Sequence, residues 1–397
     1  MANIEQVAQE MHERELDPEL GHDQDEVVTP LELFFDLVFV FAITQVTAFI
    51  AKDPSWEGLV RGLMILAVVW WAWAAYAWLT DTLDTEQDRV RLVMFAAMGA
   101  MFVASLAIPS AFNDNALIFA IAYGTVRALH MILYGYASND TDVKQAVVRL
   151  APGVAMATTL LLGASFLDGT AQGLLWAAAI VIDFGGPIVA GMEGWVLHPG
   201  HFSERHGLIV IIAFGESIVA TGLGAEDVEI TWQVVAAALS GVALAAALWW
   251  AYFDVVALVA ERHLREMKGL AQIKMARDSY SYIHLLLIAG IVLIAVGGKK
   301  TIGLTGEPLK IVPAVALCGG VALYLIGHVA FRLRNLGTVN KQRVFVALVA
   351  AAFIPVAVEI DAVYSVMAMT ALTCSLIAYE AIRFREARGR IRHAVHS

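Results

Sequence analysis

Apolar stretches of about 20 residues recur from one end of the chain to the other, and they constrain the fold more than any other feature. A helix needs about 20 apolar residues to cross the hydrocarbon core of a bilayer. Hydrophobic residues make up 59% of the 397 residues and charged residues only 16%, against roughly 45–50% and 25% in soluble domains. The sequence therefore excludes a soluble enzyme and predicts an all-α polytopic membrane protein.

Hydropathy marks about twelve transmembrane helices. They cover residues 31–50, 59–79, 92–108, 116–136, 146–167, 174–189, 207–223, 234–259, 280–296, 311–331, 344–358 and 362–381. With twelve spans and a cytoplasmic N-terminus, 20 lysines and arginines fall on the cytoplasmic side and five on the other. This split predicts that both termini are cytoplasmic. The span 344–358 is short, so the orientation depends on whether it crosses.

The two ends of the chain differ from the membrane part. Residues 1–29 carry nine acids and one base, which predicts a solvated, disordered acidic cytoplasmic tail. A tail without basic character predicts no nucleic-acid partner. Residues 386–397 form a basic cytoplasmic tail.

Weak internal similarities indicate a duplication. The aromatic segment 70–73 is echoed by 249–252, and His130 corresponds to His328. We therefore predict two parallel six-helix repeats, 30–200 and 201–385. Parallel repeats occur in some secondary transporters, where the site lies at the repeat interface.

Ionisable and polar side chains within the spans are the candidate site residues, because a charge at the bilayer centre costs roughly 2.5–3.5 kcal/mol on insertion scales. The set is Asp36, Thr44, Arg127, His130, Asp183, Glu216, Ser217 and Asp254. Its four acids face one arginine, which predicts protonated acids or cations in the interior. The alternative for Asp36 and Glu216 is a structural hydrogen bond to a neighbouring helix.

A cytoplasmic polar cluster precedes the seventh span and contains His201, Glu204, Arg205 and His206. Imidazole and carboxylate groups can bind zinc, but neither H-x-x-x-H nor H-E-x-x-H occurs and an arginine disfavours a dication. We therefore predict a hydrogen-bond cluster without metal or cofactor. The chain has no phosphate-loop motif for ATP and no G-x-S-x-G nucleophile elbow, so no catalytic residue is assigned.

Two long segments, residues 28–40 and 204–217, resemble the hallmark segments of the bacterial low temperature requirement protein A (LtrA) family. The resemblance extends from about residue 28 to residue 385. It implies a multi-helix protein of the bacterial inner membrane that is linked genetically to growth in the cold. It implies no particular biochemical activity.

A second similarity concerns the spacing of Phe34, Asp36 and Thr44, which is similar to the first helix of organellar and bacterial potassium channels. The second half departs from that pattern, since its first helix carries Gly215-Glu216-Ser217 instead. We expect a protein that transports or conducts a small solute, cation or proton across the lipid bilayer. The alternatives are an envelope enzyme or lipid-handling protein acting at the 201–206 cluster, and a non-catalytic membrane partner. Formation of a homo-oligomer is a further alternative.

Overall fold

The computed structural model describes residues 28–137, 141–226, 228–386 and 388–389 of the chain. These residues divide into two compact units. The first unit comprises 28–205 and 268–277, and the second unit comprises 206–267 and 278–389. The predicted acidic tail 1–29 lies outside the described residues up to position 27, as does most of the predicted basic tail 386–397.

Six long helices build most of the first unit. They are α1 (Pro30–Lys52), α2 (Trp56–Thr80), α3 (Asp88–Ala107), α4 (Ala116–Ala137), α5 (Thr141–Ala164) and α6 (Gly169–Val189). A capping box starts α1: the Glu32 backbone N–H donates to the Thr29 hydroxyl at 3.4 Å, and the Thr29 backbone N–H donates to the Glu32 carboxylate at 2.9 Å. This reciprocal pair satisfies amide donors that a helix start leaves without partners.

The remaining helices follow in chain order. They are α7 (Pro199–Leu223), α8 (Trp232–Phe253), α9 (Val256–Glu266), α10 (Gly269–Ala276), α11 (His284–Gly303), α12 (Ile311–Ala314), α13 (Gly320–Leu336), α14 (Lys341–Ala352), α15 (Ile354–Ala357) and α16 (Ala362–Arg383). The division between the units falls within α7, after Arg205, and α10 belongs to the first unit. Wider π-helical turns precede α11 at Arg277–Ile283 and α13 at Val315–Gly319.

Eleven helices among the described residues are long and apolar enough to cross a membrane. No β-strand occurs in the described ranges, where one isolated bridge joins Pro308 and Asp361. Large apolar side chains such as Leu92, Val148 and Val181 are mostly exposed, which suits contact with lipid rather than water. The predicted fold class, an all-α polytopic membrane protein, is confirmed. The repeat stays a prediction.

The predicted eleventh span, 344–358, is not one continuous helix. It forms α14 and the four-residue α15, which are separated at Phe353. Near one end Arg343 contacts Glu380 close to the end of α16, and the other end lies just before Ala362, where α16 begins. The broken segment therefore extends along the length of α16. The count of twelve crossings stays a prediction.

The start of α7 differs from the predicted span. The sequence analysis begins the seventh span at residue 207, whereas the helix begins at Pro199. Hydropathy excludes residues 199–206 because they contain two histidines, a glutamate and an arginine. A helix can nevertheless include such side chains when the protein supplies their partners. Arg205 consequently lies within a buried helical turn and not in an aqueous loop.

Glycines bring α11 and α13 of the second unit into backbone contact. A Cβ atom at Gly290 would lie 2.9 Å from the Tyr324 backbone nitrogen, and one at Gly320 would lie 2.9 Å from the Gly290 carbonyl oxygen. At Gly297 a Cβ atom would lie 2.7 Å from the Leu317 Cα, in the π-helical turn before α13. Such distances exclude any side chain, so these glycines set the separation of the two helices.

Candidate functional site

The two hallmark segments of the sequence meet in a buried cluster of the first unit. We call this the Arg205 cluster and define it by Glu32, Asp36, Thr80, Asp81, His201 and Arg205. The Arg205 guanidinium donates through Nη1 to Glu32 Oε1 at 2.7 Å and through Nη2 to Asp36 Oδ1 at 2.7 Å. Both carboxylates and the guanidinium are fully buried. The cluster therefore ties α7 to α1 through one forked arginine.

The same cluster includes α2. Arg205 Nη1 also donates to the Thr80 hydroxyl at 2.6 Å, and the Trp73 indole donates to Asp36 Oδ1 at 2.8 Å. Asp36 is thus held by a guanidinium and an indole at once. Charge and hydropathy identify Asp36 as a candidate site residue but predict that Arg205 lies in a cytoplasmic cluster, so this partner is not predictable from them.

His201 links Glu32 to Asp81, the third carboxylate of the Arg205 cluster. Its Nε2 lies 3.1 Å from Glu32 Oε2 and its Nδ1 lies 3.1 Å from Asp81 Oδ1. Ionised carboxylates only accept hydrogen bonds, and a neutral imidazole has only one N–H. A neutral His201 can therefore donate only one of these two hydrogen bonds. Both contacts can be hydrogen bonds only when His201 and the two carboxylates together hold one additional proton. The geometry therefore favours a doubly protonated His201.

The predicted cytoplasmic cluster of four residues is not one site. His201 and Arg205 are four residues apart on α7, which places them on one face of the helix, and both join the Arg205 cluster. Glu204 is exposed. His206 belongs to the second unit, where its ring packs 5.1 Å from Tyr280 and 5.3 Å from His284.

A second buried pair of the first unit joins α4 to α6. Arg127 Nη2 donates to Asp183 Oδ1 at 2.7 Å, and the Tyr123 hydroxyl donates to Asp183 Oδ2 at 3.1 Å. The Arg127 side chain is 2% exposed. His130, one turn along α4, contacts the Ala75 carbonyl through Nε2 at 3.0 Å. Arg127 is therefore the counter-charge of a fixed carboxylate.

The other predicted polar residues lie apart from these pairs. The Thr44 hydroxyl donates to the Val40 carbonyl at 3.0 Å and the Ser217 hydroxyl to the Phe214 carbonyl at 2.8 Å, so each satisfies its own helix. Glu216 is buried in the second unit. Asp254 follows the last residue of α8 and is paired with Arg388.

Most of the acids that the sequence leaves unpaired have an arginine partner. Asp36, Asp183 and Asp254 each lie against an arginine. Two of those arginines, at 205 and 388, are predicted from the sequence to lie outside the membrane. Arg205 is shared between Asp36 and Glu32, so a mobile cation in the interior stays a prediction.

The second unit contains a charged cavity that the sequence analysis did not identify. We call it the Arg332 cavity; it has a volume of about 70 Å³. Its lining includes Asp254, His328, Arg332, Asn340, Arg343, Glu380 and Arg388. Burial lowers the pKa of the Arg388 guanidinium, the Glu380 carboxylate opposes that change, and Arg343 adds to it. Three arginines and two acids therefore surround a space among helix ends.

A bidentate ion pair forms one wall of the Arg332 cavity. Arg343 Nε donates to Glu380 Oε1 at 3.0 Å and Arg343 Nη2 donates to Glu380 Oε2 at 2.8 Å. The Asn340 side-chain amide donates to the same Oε1 at 2.9 Å. The available signal was the arginine at the start of α14 and the acid near the end of α16, but their proximity depends on which helices are neighbours.

Removing one member of this pair is expected to destabilise the second unit. Arg343→Gln leaves a buried carboxylate at Glu380 without its counter-charge, which costs about 3–5 kcal/mol in comparable buried pairs. We expect a clear fall in the unfolding midpoint, measured in detergent with a thiol-reactive dye that reports the buried Cys318 in a Cys374→Ser background.

Two further variants make that measurement decisive. Arg343→Gln combined with Glu380→Gln removes both charges and is expected to recover most of the lost stability. The matched control is Arg334→Gln, since Arg334 donates to Asp278 at 2.9 Å in a partly exposed pair worth about 0–1 kcal/mol. Equal midpoints for Arg343→Gln and Arg334→Gln would contradict the importance of the buried pair.

Known proteins match a range of the chain that includes the Arg205 cluster and part of the Arg332 cavity. A family model described as Bacterial low temperature requirement A protein (LtrA) matches residues 27–378. The chain is also 28% identical over 373 residues to an uncharacterized protein of Rhizobium meliloti (strain 1021), in an alignment that covers 90% of this chain and 89% of that protein. The matched range includes the whole Arg205 cluster and the Arg332 and Arg343 side of the cavity.

Proposed function

The chain belongs to the bacterial LtrA family, since the family model matches most of it, and on that premise we propose that it transports a small solute across the inner membrane. The observation that carries the proposal is the Arg332 cavity. Charged residues within membrane-spanning helices are rare, and they mark solute or ion pathways when they line a cavity. The protein is an integral membrane protein with eleven long apolar helices among its described residues.

Within this proposal the Arg205 cluster and the Arg332 cavity have different roles. Its guanidinium and carboxylates are held in fixed pairs, so we assign it to the scaffold of the first unit. The Arg127–Asp183 pair has the same character. The cavity in the second unit is therefore the better candidate for binding a mobile solute.

The alternative of an envelope enzyme is less well supported, because residues that it needed for chemistry have structural partners. That alternative used the 201–206 cluster for chemistry, but His201 and Arg205 are hydrogen-bonded to carboxylates and Glu204 is exposed. A non-catalytic membrane partner stays as the outcome in which no flux is measured.

The orientation of the chain in the membrane determines which side of the membrane the Arg332 cavity faces. The C-terminal ends of α13 and α16 both border it, through Arg332 and Glu380 respectively. If both termini are cytoplasmic, as the distribution of basic residues predicts, the cavity faces the cytoplasmic half of the membrane. The solute would then be bound or released on that side.

Flux measurements test the proposal. Purified protein in liposomes is expected to raise uptake of at least one of three radiolabelled probes, phosphate, acetate or rubidium, above that of protein-free liposomes. Val256→Phe places a ring in the cavity lining and is expected to reduce that uptake severalfold. Val235→Phe is the matched control, because Val235 is an exposed residue of α8. No uptake of any probe, or equal uptake by both variants, would overturn the transport function.

A further inference from the structure

We propose that the Arg332 cavity is an anion site that binds a carboxylate or phosphate group through the Arg332 guanidinium and the His328 imidazole. The assignment rests on the proposed transport function in one respect, since it names the class of solute that the same cavity would carry. The binding site itself stands on the charges and hydrogen-bond partners of the cavity wall.

Of the three arginines that line the cavity, two are paired with an acid and Arg332 is not. Arg343 is forked onto Glu380, and Arg388 is paired with Asp254. Arg332 donates through Nε to the Thr338 hydroxyl at 3.0 Å and has no carboxylate partner among the described residues. Its two terminal nitrogens are therefore available for an oxyanion, which guanidinium groups bind with bidentate geometry.

The imidazole of His328 supplies a second, independent observation. Its side chain is 1% exposed, it lines the cavity, and neither ring nitrogen has a hydrogen-bond partner in the described part of the chain. A neutral imidazole always carries one N–H, and a buried donor without a partner destabilises the folded state. An oxygen atom of a bound ligand would satisfy it.

The two groups have the right relative placement. His328 and Arg332 are four residues apart on α13, so they share one face of the helix. His328 lies eight residues before Leu336, the last residue of α13, which is about 12 Å along the axis. An anion entering past Arg332 would therefore meet the imidazole one turn deeper.

The predicted repeat offers an internal contrast. His130 of the first unit, which corresponds to His328, contacts the Ala75 carbonyl at 3.0 Å. Four residues further the first unit has Tyr134 where the second unit has Arg332. The first unit therefore provides a partner for one ring nitrogen of its histidine, whereas the second provides none among the described residues and adds a positive charge beside the ring.

The two acids that line the cavity already have positively charged partners, so the cavity is poorly suited to a cation. Glu380 accepts hydrogen bonds from Arg343 and Asn340, and Asp254 is neutralised by Arg388. A cation would have to displace a guanidinium from one of these carboxylates. The cavity volume of about 70 Å³ exceeds the roughly 10–15 Å³ that a cavity needs on the same measure to hold one water, so a small oxyanion or the charged end of a larger solute fits.

The anion can come from two sources, and the experiment separates them. Protein with Cys374→Ser is placed in phosphatidylcholine nanodiscs, and unfolding is followed by dye labelling of Cys318. Inorganic phosphate and acetate are titrated at constant ionic strength, and one sample uses nanodiscs that contain phosphatidylglycerol instead. We expect phosphate or acetate to raise the unfolding midpoint, because a ligand that binds only the folded state stabilises it.

The variants identify the residues. Arg332→Gln is expected to weaken the apparent affinity by about tenfold or more, because charge-assisted hydrogen bonds are lost. Arg334→Gln, two residues away on the same helix, is expected to respond as the wild type does. His328→Leu is expected to lose the ligand response while its ligand-free midpoint is unchanged or higher, since it removes an unsatisfied donor. A lower ligand-free midpoint would show a structural role and contradict its assignment.

Each outcome has a separate meaning. A response to phosphatidylglycerol alone that Arg332→Gln removes would support the anion site and identify a lipid headgroup as its occupant. No response to phosphate, acetate or phosphatidylglycerol, or an undiminished response in Arg332→Gln, would overturn the site. Binding without flux overturns the transport function and leaves the site intact. Uptake of rubidium alone supports transport and overturns the anion assignment.

Discussion

Replacing Arg205 by methionine is expected to abolish most recovery of folded protein. The substitution leaves the carboxylates of Glu32 and Asp36 fully buried without their shared guanidinium. Removing one partner of a buried pair costs about 3–5 kcal/mol, and here two acids lose the same partner. Globular proteins have a total stability of about 5–15 kcal/mol. We therefore expect a loss of the monodisperse peak in size-exclusion chromatography and a sharply lower midpoint by tryptophan fluorescence.

The control for Arg205→Met removes the acids as well. A triple variant with Glu32→Gln, Asp36→Asn and Arg205→Met has no uncompensated charge at this position, and it is expected to recover much of the folded protein. Arg205→Lys should fall between the two, because one ammonium group cannot reach both carboxylates with a fork geometry. If Arg205→Met were as stable as the wild type, the cluster would not hold α7 to α1.

The second large effect is expected for Asp183→Asn. This change leaves Arg127, which is 2% exposed, without its only carboxylate partner in the described residues. The cost is about 3–5 kcal/mol for a buried arginine of this kind. We expect the unfolding midpoint to fall strongly and the protein to aggregate at lower temperature. Tryptophan fluorescence in detergent measures this, since α2 of the same unit contains buried tryptophans.

Two comparisons test the cause of that effect. Arg127→Met combined with Asp183→Asn removes the charge as well as its partner and should be more stable than Asp183→Asn alone. Asp168→Asn is the matched control, because Asp168 precedes α6, is exposed, and makes no capping hydrogen bond through its side chain. The explanation fails if the double variant is no better than the single variant.

Helix positions were largely predictable because the bilayer imposes one length on nearly every span. Hydropathy marked α1, α2 and α4 to within a few residues at most ends, since apolar runs of about 20 residues have few other uses. It failed at α7, where polar side chains satisfied inside the protein extend the helix to Pro199. It did not mark the break at Phe353, although Pro355 at the start of α15 is a sequence signal for an interrupted helix.

The charge clusters were predictable in membership but not in pairing. Asp36, Arg127 and Asp183 were recognised as costly at membrane depth, and all three are buried in ion pairs. Their partners depend on which helices are neighbours, which a single sequence does not reveal. Arg388 and Glu380 were missed for a related reason, since residues near span ends look equally suited to water. Counting Arg205 and Arg388 outside the membrane therefore makes the predicted surplus of acids too large.

The glycine contacts between α11 and α13 bear on how the Arg332 cavity could change shape. With Gly290 and Gly320 in backbone contact, these two helices cannot slide past one another without losing an interlocked surface, so they should behave as a single strut. That strut carries His328 and Arg332. α14 packs closely on α13, whereas α16 packs closely on α8. The cavity lies between these two pairs of helices, and the Arg343–Glu380 ion pair joins them. A hinge motion that widened the cavity would therefore act first on that ion pair.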